Sequence, residues 1–498
     1  AETAGGALVV AGEPLARSSD HNVFPNRQEE CERLFQDLRV RSDKMLRTST
    51  GAFCGGYYSA TEHRLTLFTD KLGVRPIYYV VTPEFAAFAS ALRILEAANL
   101  NKCGIDLRGT YETCAFGFPL GTRTCYEGVR TIGPAEVVHI GADSEQHDHY
   151  LRWHVLERHD RDEASLLEDL SAAFSSAVAR RLRGDKTVLS PPATQDRVFA
   201  AMAAAALGTR HHQLEVTSTA AKDAYRQAQL QQWVQSLPDE NIAVDRPQCI
   251  WSGDGGSVAL GHVYLDQHAV DAFERGDAEG GIRAFVRYNR INGASNGAMT
   301  RRFREQSRDW HLAGIRQEIT NFDGRIDGRL LHLFLMLNDQ RRHMAKHFEN
   351  IDVHRFEFHL PFFDSDFLSV VLRSPVQRFL RHSLYHKWLA RVAPVALTVP
   401  WQTYPNHEKC PIAIDPSLRY QWDGNLDKNE DRALTRQLGR SAMRALLTGH
   451  FPSHLIDRLG FAAAIASCLA GASTYNHVAS VGETFARCWQ RREQGHCA

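Results

Sequence analysis

The sequence lacks an excess of either charge: among its 498 residues, Lys+Arg and Asp+Glu each count 58. With no basic surplus to draw a polyanion across the surface, nucleic acid is not expected as a partner. Long apolar runs are missing too. The longest, Val198 to Leu207 and Phe461 to Ala470, fall well short of the roughly 20 residues needed to cross a bilayer. The opening residues carry no basic region followed by an apolar core, so no secretory signal is expected. The ten cysteines, at 31, 54, 103, 114, 125, 249, 410, 468, 488 and 497, form no CxxC pair and are too sparse for a disulfide scaffold. The expectation is a soluble, cytoplasmic protein with reduced thiols and no membrane association. Internal repeats and low-complexity tracts are absent as well.

What is present is an ordinary globular balance, 43% hydrophobic and 23% charged, over a length that calls for two or three domains. From Gly5 to about Ile140, Phe53 to Tyr58, Arg64 to Thr69 and Ile77 to Val81 read as successive strands separated by polar or Gly/Pro punctuation. Gly141 to Ala164 is dense in Asp, Glu and His with little apolar periodicity, and the domain junction is placed there. Beyond it, Leu166, Leu167, Leu170, Phe174, Ala177, Val178 and Leu182 recur at helical spacing after an Asp-rich start.

Lys186 to Ser190 reads as a buried strand, followed by a turn and an Ala-rich helix from about Arg197 to Leu207. Gln248 to Trp251, then Ser252 to Gly256, then a helix, repeats that order. Strand, loop, helix is the opening unit of a doubly wound α/β domain, whose ligands bind beyond the carboxyl ends of the strands. From about Arg329 long amphipathic helical patterns dominate, including Leu330 to Lys346 and Val376 to Val392. His343 and His347 stand at a spacing that can hold a metal, but no third ligand lies nearby in sequence and a solvated helix face is the preferred reading.

Four stretches, in order, carry a family resemblance. They are GAFCGGYYSATEHRLTLFTDKLGVRPIYY (Gly51 to Tyr79), FGFPLGTRTCYEGVRTIGPAEVVHI (Phe116 to Ile140), IWSGDGGSVALGH (Ile250 to His262) and HRFEFHLPFFDSDFL (His354 to Leu368). The set resembles the glutamine-hydrolysing asparagine synthetase type, related to β-lactam synthetases and lasso peptide cyclases. That resemblance implies an α/β protein. Residues 1–145 would form an Ntn-type α-β-β-α sandwich of class II glutamine amidotransferases, complete or truncated. Residues 160–498 would form a doubly wound parallel-sheet synthetase domain with extra C-terminal helices. It also implies ATP and Mg as cofactors, a small-molecule or peptide carboxylate and an amine as partners, an acyl-adenylate intermediate, and an oligomer as a possible state.

The chemistry can be checked residue by residue. The family's glutaminase cysteine is the first residue of the mature chain, so that its own amino group serves as base. Here the first residue is Ala1, and Gly6 to Leu15 is similar to the family's second strand. Cys54 reads as a buried, inert thiol. In the synthetase part the pyrophosphate loop needs small residues and free backbone N–H groups. At that place stand Ser190, Pro191, Pro192, Ala193, Thr194, Gln195 and Asp196. The prolines remove two donors, and Thr194, or Asp196 if the alignment is gapped, falls where the family holds magnesium. The second loop keeps Ser252, Gly253, Asp254, Gly255 and Gly256, while Ser257 and Val258 replace the family's Asp and Glu. Asp254 either compensates as a ligand or satisfies local N–H groups.

Glu357 matches the family's glutamate near the reacting amine. It is placed in a helix-to-turn segment, where an ion pair with His354, His359 or an arginine is the competing reading. Lys387 and Lys409 are candidates for the lysine that stabilises adenylate charge. Two readings stand: an ATP-dependent, AMP-forming amide ligase without a recognisable glutaminase nucleophile, or a catalytically inactive relative acting as a binding or scaffold protein.

Overall fold

The computed structural model describes residues 2–3, 5–16, 27–98, 104–182, 196–208, 248–294, 296–322, 327–351, 356–399, 428–447 and 451–493. Its first sheet is antiparallel and six-stranded, in the order β1 (Glu2–Thr3), β2 (Gly6–Gly12), β3 (Phe53–Ser59), β4 (Arg64–Thr69), β8 (Glu136–Ile140) and β9 (Glu145–His149). A second sheet of three strands holds β5 (Tyr78–Val81) between β6 (Ala86–Ala89) and β7 (Val129–Thr131).

Successive strand residues point to opposite faces, and the sequence uses both. Phe53, Tyr57, Phe68 and Val137 face α1 (Arg27–Arg39), packing on Leu34, Phe35 and Leu38. Cys54, Leu67, Val138 and Ile140 face the other way, onto Tyr79 and Ile132. Tyr78, Val80 and Val129 on the outer face of the second sheet then pack on Leu95 of α3 (Leu92–Ala98). Helix, sheet, sheet, helix is the layer order expected from the sequence.

The segment read as a junction contains more structure than its composition suggested. Strand β9 is exposed along its whole length yet pairs with β8 from Glu136↔His149 to Ile140↔Glu145. Backbone pairing needs no apolar side chains, so periodicity did not register it. The helical pattern that follows is α5 (Glu163–Arg181), whose Asp162 cap accepts from Ser165 N–H. An Ala-rich helix, α6 (Asp196–Leu207), is present too.

Among the described residues the parallel sheet consists of β10 (Gln248–Trp251) and β11 (Phe356–His359), in register from Gln248↔Phe356 to Trp251↔His359. The Lys186 to Ser190 strand expectation lies outside the described residues. Around this pair sits the largest core, with Val258, Ala259, Phe273, Phe285, Leu331, Phe334, Leu360 and Phe363. Three C-terminal helices, Lys428–Leu447, Arg458–Leu469 and Asn476–Glu493, bury Ala442, Phe461, Ile465 and Phe485 together with Tyr111 of α4 (Leu107–Phe116).

The pattern from Leu330 to Lys346 is helical throughout, though its middle, Leu335–Gln340, is wound as a π-helix. The pattern from Val376 to Val392 is not one helix. It breaks at Arg381 and His382, both at positive φ (55° and 62°), before the Ser383–Val392 helix begins. The break has a tertiary cause: His382 N–H donates to Gly261 O at 3.1 Å, and a side chain at Gly261 would collide with the His382 ring. Among the described residues no helix is long and apolar enough to cross a membrane.

Candidate functional site

The DKLGVRP turn is organised by Asp70. Its carboxylate accepts from the amides of Leu72 (3.0 Å), Val74 (3.2 Å), Arg75 (3.1 Å) and Phe53 (3.3 Å). Burial pushes the Asp70 carboxyl up, and these four donors pull it back. Gly73 turns the chain at φ +60°, where an added Cβ would stand 2.9 Å from Arg341 Nε. The result is a rigid turn that projects Arg75 into the second half of the molecule.

Arg75 there meets Glu357. The helix-to-turn placement of Glu357 is corrected: it lies on strand β11, paired with Cys249 across the parallel register. Phe-Glu-Phe-His alternates with the period of a strand, and only after Leu360 does the chain enter the Pro361–Phe363 turn. The competing ion-pair reading of Glu357 does hold, with an arginine that sequence reasoning missed. Arg75 Nη1 donates to Glu357 Oε1, both side chains being almost fully buried, and Arg27 Nη1 stands 3.8 Å from Oε2. Burial opposes charge on Glu357, but Arg75 and then Arg27 outweigh it and hold the carboxyl below its usual range. The Arg75 guanidinium also lies 5.2 Å from the centroid of the Phe348 ring. Between Glu13, Gly51, Asp70, Arg75, Arg181, Glu357 and Phe363 about 30 Å³ of cavity is left, well below the roughly 300 Å³ at which small-molecule pockets begin.

The carboxyl end of β10 leads into the Ser252–Gly256 loop. Ser252 N–H donates to His359 O at 3.0 Å, tying the loop to β11. Ser252 Oγ donates to Asp254 Oδ2 at 2.5 Å and accepts from Asp254 N–H at 3.1 Å. The Asp254 carboxylate thus accepts from the Ser252 hydroxyl at the tip of the loop. Gly255 adopts φ +86°, and an added Cβ would sit 2.5 Å from the Phe363 ring; at Gly256 one would sit 3.1 Å from Phe362. Both glycines thus have a packing reason to be small, whereas among the described residues nothing stands within 4 Å of a Cβ at Gly253. Val258 is buried in the main core.

Ser190 and the residues through Gln195 lie outside the described residues, as does Lys409. Asp196 opens α6. Lys387 is on the outer surface, its Nζ 2.7 and 2.8 Å from the Glu163 carboxylate oxygens, and it does not line the Glu357 cavity. His343 is exposed and His347 packs on the Phe358 ring. Among the described residues no group of three or more His, Cys, Asp or Glu could hold a metal.

Further basic residues, none marked by a motif, join the two sheet layers to the helical half. Asp364, fully buried, caps the Ser365–Arg373 helix and receives Arg180 (2.9 Å) and Arg181 (2.8 Å). Burial opposes its charge, but Arg181 and Arg180 keep its carboxyl below the usual range. Arg181 also reaches Thr50 O at 3.3 Å. Arg341 donates to Gly73 O (3.0 Å) and Ile132 O, and Arg342 to Gly121 O and Arg123 O, both at 2.9 Å. Buried cations that saturate backbone carbonyls across a junction hold it in one geometry.

Cys54 sits on β3 with its thiol directed at Pro76 O, 3.6 Å away. Burial pushes it up to about 12, so it carries no thiolate at neutral pH and cannot serve as a nucleophile.

Residues 19–151 match the family model of a glutamine amidotransferase domain. This part of the chain, containing the Asp70 turn and most of the two sheets, is thus amidotransferase-like. No curated protein matches the chain.

Proposed function

We propose that the chain is an asparagine-synthetase-like relative that has kept the two-part amidotransferase and synthetase frame without its adenylating chemistry, and that it acts by binding. The carrying observation is the buried Arg75–Glu357–Arg27 cluster. A carboxylate that receives a proton from an attacking amine needs a pKa near the working pH and room for that amine. Two arginines stabilise the charge of Glu357, and the adjoining cavity of about 30 Å³ is small beside pockets that take substrates, roughly 300 Å³ and more. The loss of a carboxylate at buried Val258 points the same way, since magnesium needs hard oxygen ligands.

A second reading, an ATP-dependent amide ligase joining a small-molecule or peptide carboxylate to an amine, is favoured by one feature. Strand β10 ends in a glycine-bearing loop beside a parallel neighbour, the setting in which α/β domains bind ligands. Pyrophosphate release separates the two. With the full chain, Mg-ATP and a panel of carboxylic acids and amines, release should not exceed a protein-free blank; release above it would establish the ligase.

A further inference from the structure

Away from the Glu357 junction, a larger cavity of about 410 Å³ opens between the Arg301–Ser307 helix, the start of the Trp310–Thr320 helix and Gly293. Arg301, Arg304, Arg308 and His311 line it, with Glu305 as the one carboxylate of the lining among the described residues. Arg301 and Arg304 stand one turn apart on the helix, Arg308 follows its last residue, and all three line the cavity. Glu305 Oε1 is engaged by Arg301 Nε at 2.9 Å, and neither Arg304 nor Arg308 has an ion pair or side-chain hydrogen bond among the described residues. A second carboxylate, Asp309, adjoins the lining, and its charge reaches His311 and Arg316. The chain as a whole is neutral, 58 against 58, so this concentration of one sign is local. His311 is fixed from behind by Tyr111 Oη, 3.1 Å from its Nδ1, and a side chain at Gly293 would meet that ring at 2.9 Å.

We propose that this cavity is a binding site for a small phosphate-bearing molecule. Guanidinium forks match phosphate oxygens, and a phosphate can accept from more than one fork at once. Like charges gathered in a concave wall are relieved by an anion of that kind. The volume lies in the range of small-molecule pockets, roughly 300–1,000 Å³, rather than of a groove for a macromolecule. The site is independent of the reading of the Glu357 junction, from which it shares no lining residue.

Titration calorimetry of the full chain with inorganic pyrophosphate, in the absence of magnesium, tests it. Saturable binding to one site is expected, weakened about tenfold or more in Arg304→Gln/Arg308→Gln and weakened by added salt. Glu305→Gln, which removes the competing carboxylate, should tighten binding, and this gain of affinity carries the test if the double variant fails to fold. No saturable binding, equal affinity in all variants, or citrate binding as tightly as pyrophosphate would each overturn the proposal.

Discussion

Replacing Arg75 by Met should destabilise the fold by about 3–5 kcal/mol, because removing one partner of a buried ion pair strands the other charge. Arg27, 3.8 Å from Glu357 Oε2, remains to screen part of that charge and places the effect toward the lower end. The double variant Arg75→Met/Glu357→Leu should recover most of the loss, since apolar side chains of similar volume can replace a buried pair at little cost. Chemical denaturation of the two single variants and the double closes a cycle that isolates the pair. A loss below about 1 kcal/mol in Arg75→Met would mean that the pair behaves as a solvated surface contact.

The second large effect is acid sensitivity with a histidine origin. His262 and His332 are buried with ring centroids 4.0 Å apart, and His262 also stacks on Phe379 at 4.9 Å. Among the described residues His262 Nδ1 and His332 Nε2 have no hydrogen-bond partner. Burial drives His332 down to about 4 and His382 to about 3, and takes His262 well below its usual value, with His332 adding to the depression. In the unfolded chain these rings take up protons near 6.5. The sign follows directly: below pH 6.5 the unfolded state binds protons that the folded state refuses, so stability is lost as pH falls toward 4.

For His332 alone the window spans about 2.5 pH units at ~1.4 kcal/mol each, on the order of 3 kcal/mol. Other groups titrate in the same range. His147 works oppositely, because Glu136 and Glu145 outweigh its burial and raise it. Glu357 and Asp364 withdraw their stabilisation only below about pH 4.5. The variant difference removes this background. His332→Leu should lose less stability than the parent between pH 6.5 and 4.5; parallel melting-temperature profiles over that window would refute a buried, neutral His332.

Which parts were legible in the sequence follows from the range of the forces that set them. The strands around Phe53 to Tyr58 and Arg64 to Thr69 were readable because alternate residues face different layers, so the period is written locally. The loop after Trp251 was readable for the same reason, through its serine and glycines. The partner of Glu357 was not: Arg75 lies 282 positions away, and nothing in a turn sequence specifies which distant charge it will face. His382 shows the opposite failure. Its neighbourhood has good helical periodicity, yet docking against Gly261 imposes positive φ on two residues and breaks the helix. Arg341 and Arg342 looked like part of an amphipathic face, although both side chains bind backbone carbonyls of the amidotransferase-like part.

Carboxylate-dependent exchange of pyrophosphate into ATP reports adenylate formation directly, requires no amine, and is blind to nucleotide held elsewhere on the surface. With the full chain, magnesium and a range of carboxylic acids, the arginine-paired Glu357 and the Ser257 and Val258 that stand after the loop predict exchange no faster than without protein. Exchange that depends on one particular acid, and persists through repurification, would contradict the account.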